Sequence, residues 1–572
     1  MASQSDSPRT PRPTDPQALW QEAVGAFQRG DLAASERALA PLLEHLSPTG
    51  EMDILAGLIA LQRNDPKTAE RYLRRGTKQA PERLEGWIAL GNARLLRDKA
   101  GEAVEAFAEA VRRAPDNAGA HNNLGIAYET MGRYDRALTE FERAYALQPD
   151  PGVDLSRARC LVQLGRAEEA RARYAELVAA HPREAGLAIE FAELLERNNE
   201  LAEAERKLPG EAEVTAAPLL ARRNALLARL QARAGEHEAA LHTVTTARQR
   251  TRDDTLGYQQ GQYLDRLGRY EEAVEAFTAA NKARAAQPAF QRLQRQRFGE
   301  FVAAKAERGL DLPATDPAEG GEGRGGSADA DAQPIFLIGL PRSGTTLVDR
   351  MLGAHPGAQV LEEFEGLRLA EDALAAGESV ATARAAWREH IEGRTQLTPG
   401  ARIIDKNPLH AAHLDTLARV FPDAPVVFVL RHPFDAALSC WMQDFQPNPA
   451  TVHFLERAST ARLCAGLLEL MRQFERGRPG QVSRLRYEDL VDDFRGEVGR
   501  VLDAVGLGWD DAVSDYAARA ADSGMITTPS YDQVTRGLYT SAVERWRHYR
   551  PWLDDFAEPL GLLTAAYGYS AD

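Results

Sequence analysis

Residues 334–352 read PIFLIGLPRSGTTLVDRML, and this stretch decides the fold of the C-terminal half of the chain. IFLIGL is a short continuous apolar run, which is typical of a buried parallel strand. PRSGTT follows as a glycine- and hydroxyl-rich loop, and LVDRML then has the apolar spacing of a helix. Strand, glycine loop and helix in this order predict a site where backbone N–H groups and a helix N-terminus hold an anion.

The loop offers several kinds of donor to that anion. Gly344 lets the backbone come close to a ligand, Thr345 and Thr346 add hydroxyl groups, and Arg342 supplies a forked donor set suited to phosphate or sulfate oxygens. The loop lacks the lysine of a nucleoside-triphosphate P-loop. A tight turn with incidental polar residues is the alternative interpretation.

Two later segments repeat the pattern of an apolar strand followed by a basic residue. ARIIDKNPLH, residues 401–410, places Lys406 after a short apolar run, and APVVFVLRHPFDAALSCW, residues 424–441, places Arg431 after another. Both side chains would project at the carboxyl edge of a parallel sheet, where open α/β folds bind ligands. Ser439 lies about two helical turns after Arg431, so one phosphate could touch both.

A third segment, SRLRYEDLVDDF at residues 483–494, predicts a strand and then Tyr487 at the acidic start of a helix. The Tyr487 ring could lie against a purine, or it could be a core residue.

PRSGTT, DKNP, VLRHPFDAALS and LRYEDL, in that order, make the C-terminal half similar to the sulfotransferase family, most of all to its tyrosylprotein-type branch and to bacterial proteins that join repeats to such a domain. The resemblance covers residues 334–569. It implies an α/β P-loop-type domain with a central parallel sheet, 3′-phosphoadenosine-5′-phosphosulfate (PAPS) as the sulfuryl donor, and no metal. By this resemblance the donor-binding residues are Arg342, Ser343, Gly344, Thr345 and Thr346 at the phosphosulfate end, and Arg431 and Ser439 at the 3′-phosphate.

The resemblance also implies a catalytic pair. Glu363, which lies 21 residues past Arg342, matches the general base of the tyrosylprotein-type pattern. Lys406 matches the residue that stabilises charge on the bridging oxygen as its bond to sulfur breaks. Glu362 and Glu365 are the alternatives if the register slips.

A histidine is the rival base. The cytosolic small-molecule branch of the family uses one, and His410 and His413 lie close to Lys406 in the sequence. We rank both histidines below Glu363.

The C-terminal segment SYDQVTRGLYTSAVERWRHY, residues 530–549, also matches the family. Ser530 falls where a serine stabilises the transition state, and Arg545 falls where a basic residue meets the 3′-phosphate. One departure is Gln443, which stands where the tyrosylprotein-type pattern has an arginine. One contact to the 3′-phosphate is therefore expected to be missing or moved.

A period of about 34 residues runs through the first half of the chain and resembles the tetratricopeptide repeat. Small residues would let helices approach closely and large ones would fill the gaps. Length divided by period predicts about eight repeats in residues 16–285. The matched positions are Pro81, Pro115 and Pro149, Gly91 and Gly125, Ala103 and Ala137, and Phe107 and Phe141.

These patterns predict an all-α repeat solenoid over residues 16–292, after a polar and proline-rich disordered N-terminus at 1–15. Residues 312–333 are rich in glycine, alanine and acidic residues, which predicts a 293–333 linker that is flexible from about 312. The sulfotransferase domain would then occupy residues 334–572.

Composition excludes several classes of function. The net charge of −15 argues against nucleic-acid binding. The three cysteines are too few and too far apart for a disulfide framework or a metal cluster. The chain has no apolar run near the ~18 residues that a membrane span needs, and its N-terminus has no apolar targeting segment. We therefore expect a cytoplasmic protein without membrane attachment.

The expected function is transfer of a sulfuryl group from PAPS to a hydroxyl, such as a protein tyrosine or another large acceptor held by the repeats. An array of this kind offers a binding surface for a protein or peptide and performs no chemistry itself. It could also join two copies of the chain. The alternatives are a catalytically inactive scaffold that binds the nucleotide and a kinase-like P-loop enzyme.

Overall fold

The computed structural model of the chain describes residues 15–45, 48–294, 297–313, 333–392, 395, 397–516 and 542–570. The chain separates into two compact units, residues 1–182 and 183–572. This division falls inside the predicted repeat array, so the second unit contains both repeat helices and the α/β domain.

The described part of the first unit forms five helical hairpins. A Cβ atom on Gly91 would lie 2.5 Å from the Phe107 ring, and one on Gly125 would lie 2.6 Å from the Phe141 ring, so the predicted small and large positions do pack together. The helices are α1 (Pro16–Gln28), α2 (Leu32–His45), α3 (Gly50–Gln62), α4 (Pro66–Gln79), α5 (Leu84–Leu95), α6 (Ala100–Arg113), α7 (Ala118–Thr130), α8 (Tyr134–Leu147), α9 (Pro151–Gln163) and α10 (Ala167–Ala180).

Three more hairpins and two further helices open the second unit, so the described residues between Pro16 and Ala285 contain the eight hairpins that the period predicts. The helices are α11 (Ala185–Arg197), α12 (Leu201–Lys207), α13 (Ala217–Arg233), α14 (His237–Thr251), α15 (Gly257–Arg266), α16 (Tyr270–Ala285), α17 (Pro288–Gln294) and α18 (Phe298–Arg308).

A five-stranded parallel sheet with the order β2-β3-β1-β4-β5 forms the centre of the α/β domain, which confirms the predicted fold class. Every residue of β1 and β4 is buried, as their continuous apolar sequences predict. The strands are β1 (Ile335–Gly339), β2 (Ala358–Glu362), β3 (Arg402–Lys406), β4 (Val426–Leu430) and β5 (Val482–Arg486).

Helices cover this sheet and connect its strands. They are α19 (Thr345–Gly353), α20 (Gly366–Ala375), α21 (Val380–Glu392), α22 (Leu414–Val420), α23 (Pro433–Trp441), α24 (Arg457–Gly477), α25 (Tyr487–Asp492), α26 (Phe494–Ala504) and α27 (Asp554–Ala566). Short 3₁₀ helices are Glu211–Glu213, Asp254–Leu256, Pro408–His413, Thr451–Leu455, Asp511–Val513 and Arg545–Trp552.

The predicted linker, residues 293–333, begins with an ordered and packed segment that contains helix α18. Its helix α18 packs on α24, where a Cβ atom on Gly466 would lie 2.7 Å from Val302. Lys305 of α18 is also buried and bonds to Glu371 Oε1 at 3.0 Å. The sequence did not reveal this helix, because its apolar partners lie more than 100 residues further along the chain.

Candidate active site

The loop between β1 and α19 has the backbone shape that the sequence predicts for an anion site. Gly344 has a φ of +104°, and a Cβ atom there would lie 2.9 Å from the Tyr487 ring, so only glycine fits. Arg342 also has a positive φ, of +69°. The hydroxyl oxygen of Ser343 is buried, and within the described part of the chain it makes no hydrogen bond. Such a group is suited to donate to a ligand oxygen.

Arg431 and Ser439 meet this loop, although they come from a different strand and helix. Arg342 Nε donates to Ser439 Oγ at 3.2 Å, and Arg431 Nη1 donates to the backbone oxygen of Arg342 at 3.2 Å. Arg431 Nε is buried and has no hydrogen-bond partner among the described residues. The structure therefore brings together the three side chains predicted for the two ends of the donor.

Tyr487 also touches the loop, but as a core residue. Its side chain is buried against Gly344, and the guanidinium carbon of Arg431 lies 5.6 Å from the centre of its ring. The predicted contact of Tyr487 with a purine stays a prediction.

The predicted catalytic pair is in direct contact. Lys406 Nζ donates to Glu363 Oε1 at 3.1 Å, and the Glu363 N–H donates to the backbone oxygen of Lys406 at 2.7 Å. Lys406 is completely buried, whereas 58% of the Glu363 side chain is exposed. Glu363 has a φ of +59°, which is unusual for a residue with a side chain. Its carboxylate is therefore held beside the buried Lys406 while remaining open to solvent.

Asp349 of α19 is a site residue that sequence reasoning missed. Its buried carboxylate lies 3.5 Å from Lys406 Nζ, and Glu362 Oε1 lies 3.6 Å from the same nitrogen. Burial by itself would lower the pKa of Lys406, but its carboxylate neighbours outweigh burial and raise that pKa. Burial raises the pKa of Asp349 to about 7, although the charge of Lys406 opposes the shift. An acidic residue within the apolar LVDRML segment was the available signal.

The two rival histidines each contact a carboxylate other than Glu363. His410 Nε2 lies 3.0 Å from Asp405 Oδ1, and the other oxygen of Asp405 accepts from Trp387 Nε1 at 2.8 Å. His413 Nδ1 lies 2.6 Å from Glu371 Oε2. Both histidines are buried in these contacts, whereas Glu363 is open to an acceptor.

Arg545 lies in a setting that the sequence did not predict. Its Nε donates to Asp265 Oδ1 at 3.1 Å, and its Nη2 forms an ion pair with Asp265 Oδ2 at 2.9 Å; Asp265 belongs to repeat helix α15. Arg545 Nη2 also lies 3.3 Å from the sulfur of Met442, one helical turn after Ser439. The predicted catalytic residue Ser530 lies outside the described residues.

Two kinds of feature are absent from the described residues. No helix there is long and apolar enough to cross a membrane. The same part of the chain contains no group of three or more His, Cys, Asp or Glu side chains arranged to hold a metal ion.

Comparison with known proteins agrees with both halves of this architecture. Residues 334–511 match the sequence model of the sulfotransferase family. Residues 54–118, 88–153, 131–188 and 258–287 match models of tetratricopeptide repeats. The chain therefore combines a tetratricopeptide-repeat array with a sulfotransferase-family domain, as the sequence predicts.

Three relatives share part of the chain. An uncharacterized protein of Aquifex aeolicus is 28% identical over 260 residues, which cover 41% of this chain and 33% of that protein. The nodulation protein NoeE of Sinorhizobium fredii is 28% identical over 265 residues, covering 39% and 62%. The omega-hydroxy-beta-dihydromenaquinone-9 sulfotransferase Stf3 of Mycobacterium tuberculosis is 27% identical over 123 residues, covering 18% and 29%. The chain thus spans less than two thirds of each relative.

Among solved structures, a tetratricopeptide repeat protein from Parabacteroides merdae is 15% identical, with a TM-score of 0.34. The match covers 41% of this chain and 92% of that protein.

Proposed function

We propose that the C-terminal domain transfers a sulfuryl group from PAPS to a hydroxyl acceptor. One observation carries this proposal: four of the predicted site segments lie at the carboxyl ends of neighbouring parallel strands. Glu363 follows β2, Lys406 ends β3, the 342–346 loop follows β1, and Arg431 follows β4. β2 and β3 lie on one side of β1 and β4 lies on the other, which leaves a crevice of the kind where α/β sheets bind ligands.

The residues present fit a donor that carries anions at both ends. The 342–346 loop offers backbone N–H groups, three hydroxyls and a guanidinium to the phosphosulfate end. Arg431 and Ser439 stand beside it for the 3′-phosphate. The buried Ser343 hydroxyl and Arg431 Nε gain partners if an anion binds there, which is the favourable arrangement for buried polar groups.

Glu363 and Lys406 supply the chemistry. In the proposed reaction Glu363 accepts the proton of the acceptor hydroxyl while the acceptor oxygen forms its bond to sulfur. Lys406 donates to the bridging oxygen as the bond between that oxygen and sulfur breaks, which leaves a sulfate ester and 3′,5′-diphosphoadenosine. Ser530 is proposed to assist there.

The contact between Glu363 and Lys406 fits these roles. An acceptor hydroxyl would replace Lys406 as the hydrogen-bond partner of the exposed Glu363 carboxylate. Lys406 would keep Glu362 as a carboxylate neighbour, joined above about pH 7 by ionised Asp349, and these negative charges favour its charged form.

We propose that the reaction needs no metal. A sulfuryl group carries less charge than a terminal phosphoryl group, so the lysine and magnesium of nucleoside triphosphatases are not required. The positive side chains Arg342, Lys406, Arg431 and Arg545 can neutralise the donor directly.

The acceptor is proposed to be large, such as a protein tyrosine, and to be held by the repeat array at a cytoplasmic location. The name of the Mycobacterium relative describes a sulfotransferase whose substrate carries a hydroxyl, which agrees with a hydroxyl acceptor. The array is proposed to bind a protein or peptide or to join two copies of the chain.

Binding calorimetry of the full chain in EDTA tests the donor site. We expect 3′,5′-diphosphoadenosine to bind, and Arg431→Gln to weaken this binding by about tenfold because a charged hydrogen bond to phosphate is lost. The control is Arg472→Gln, which removes a guanidinium paired with Glu469 on α24. Binding of ATP that requires magnesium, with no binding of the diphosphate, would favour a kinase-like enzyme and contradict the proposal.

A further inference from the structure

The last repeat hairpin, α15 and α16, is joined to the helix that carries Ser439. Asn281 Nδ2 donates to the backbone oxygen of Trp441 at 3.0 Å, and Arg284 Nε donates to Asp444 Oδ1 at 2.8 Å. The Phe277 and Trp441 rings lie 5.7 Å apart. These polar and aromatic contacts fix the hairpin against the C-terminal end of α23.

Asp265, at the end of α15, reaches further towards the proposed donor site. Its Oδ1 accepts from Arg545 Nε and from the Tyr549 hydroxyl, and its Oδ2 forms an ion pair with Arg545 Nη2. Only 16% of the Asp265 side chain and 25% of the Arg545 side chain are exposed. A two-point contact of this kind holds a guanidinium in one orientation, since the planar fork matches the carboxylate.

The backbone beside Arg545 is fixed from the opposite direction. The Trp546 N–H donates to Asp435 Oδ1 at 2.8 Å, and Asp435 belongs to α23. Arg545 Nη2 lies 3.3 Å from Met442, one helical turn beyond Ser439. The guanidinium therefore lies between a repeat helix and the helix to which the proposed 3′-phosphate site belongs.

We propose that Asp265 is a positioning residue through which the repeat array contributes to recognition of the donor's 3′-phosphate. This inference rests on the proposed function. Asp265 holds the guanidinium of Arg545 beside α23 before the donor arrives. Arg545 then does not have to lose its side-chain freedom when the 3′-phosphate binds, and this preorganisation strengthens binding.

The test compares two ligands that differ only in the 3′-phosphate, namely 3′,5′-diphosphoadenosine and adenosine 5′-monophosphate, on the full chain by calorimetry. We expect Asp265→Asn to weaken binding of the diphosphate by about tenfold, because the charged partner of Arg545 is lost, and to leave monophosphate binding unchanged. The control is Asp254→Asn, whose carboxylate pairs with Arg248 in the same repeat region. It should alter neither affinity.

A double-mutant cycle tests whether Asp265 acts through Arg545. Arg545→Gln should lower the preference for the diphosphate, and adding Asp265→Asn should lower it no further. Thermal unfolding reports whether each variant folds. If Asp265→Asn fails to fold, Asp265→Glu keeps the charge, moves the guanidinium and should reduce the preference by about threefold, a smaller loss than the tenfold of a missing charged bond.

The outcomes separate this inference from the proposed function. A wild-type chain that does not prefer the diphosphate contradicts both. If the wild-type chain prefers the diphosphate and this preference persists or rises in Asp265→Asn, the inference alone is overturned. An equal loss of affinity for both ligands also leaves the preference unchanged and overturns it.

Discussion

The hairpin α7–α8 of the first unit and the hairpin α15–α16 of the second are built on the same pattern. In each, a glycine on the first helix faces a phenylalanine 16 residues later. A Cβ atom would lie 2.6 Å from the ring for Gly125 and Phe141, and 2.7 Å for Gly261 and Phe277. This shared pattern determines how the two helices pack, and it is the part that recurs in the sequence.

The two hairpins differ at positions outside the pattern. Four residues after its phenylalanine, α8 has Tyr145, which stacks on Arg157 of the next repeat at 4.6 Å. The same position of α16 is Asn281, which bonds to Trp441 of the α/β domain. The repeat pattern therefore identifies a hairpin, and the residues outside it determine what the hairpin packs against. The last hairpin belongs structurally with the α/β domain.

The largest expected effect is on the rate of the reaction and not on the packing of the hairpins. Glu363→Gln should lower kcat by about 10²–10⁴-fold, because the proposed general base is lost, while the affinity for 3′,5′-diphosphoadenosine stays within about twofold. Steady-state kinetics and calorimetry measure the two quantities. Asp372→Asn, which removes an exposed partner of Arg368, is the control. A larger loss in Glu362→Gln would instead assign the base to that residue.

Matched glycine substitutions test the comparison of the two hairpins directly. Gly125→Val and Gly261→Val should each destabilise the chain by about 1–3 kcal/mol, since each forces a branched side chain against a buried ring. Only Gly261→Val should also weaken binding of 3′,5′-diphosphoadenosine, because α16 packs against α23. Denaturant unfolding and calorimetry check this. Equal effects on affinity would mean that the last hairpin has no special relation to the donor site.

The raised pKa of Asp349 predicts a pH dependence of stability that the first unit, residues 1–182, should not share. In the folded chain this carboxyl stays protonated up to about pH 7, whereas in the unfolded chain it ionises near the ordinary aspartate pKa of 3.8. The folded state thus binds more protons in this window, and its stability falls as pH rises from about 4 to about 7.

Asp349→Asn should remove this contribution. Between pH 5 and pH 8 the unfolding midpoint of the second unit, residues 183–572, should fall by about 2–4 °C more in the wild-type chain than in the variant. Differential scanning calorimetry measures both midpoints. Parallel pH profiles for the two proteins would refute the assignment.

The smallest expected effect concerns ion pairs. Arg284 and Asp444 join the last hairpin to the α/β domain with side chains 24% and 34% exposed, whereas Arg63 and Glu36 of the first unit are 43% and 54% exposed. Asp444→Asn should cost about 1 kcal/mol and Glu36→Gln close to nothing. Urea unfolding measures both. A larger loss for Glu36→Gln would show that exposure does not distinguish these pairs.

The sequence predicts the features that depend on local patterns. Strands such as Val426–Leu430 are continuous apolar runs, so the residues after them could be placed at one sheet edge. The contact of Glu363 with Lys406 also depends on the strand order of the structure, in which β2 and β3 are neighbours. The repeats follow from spacing alone.

Contacts between distant segments could not be predicted in this way. Asp265 and Arg545 are 280 residues apart and belong to no shared pattern. Asp349 lies in the segment LVDRML of α19. Its neighbour Lys406 ends β3, which lies further along the chain. The helix α18 lacks a repeat period, and its buried face is explained by distant segments such as α24 and Glu371 of α20.

Transfer of radioactive sulfur from ³⁵S-labelled PAPS to cell extract by the purified full chain in EDTA tests the proposed sulfuryl transfer. We expect label on an acceptor with the wild-type chain and almost none with Glu363→Gln. No transfer by a wild-type chain that binds 3′,5′-diphosphoadenosine would contradict the proposed function and would indicate a nucleotide-binding scaffold.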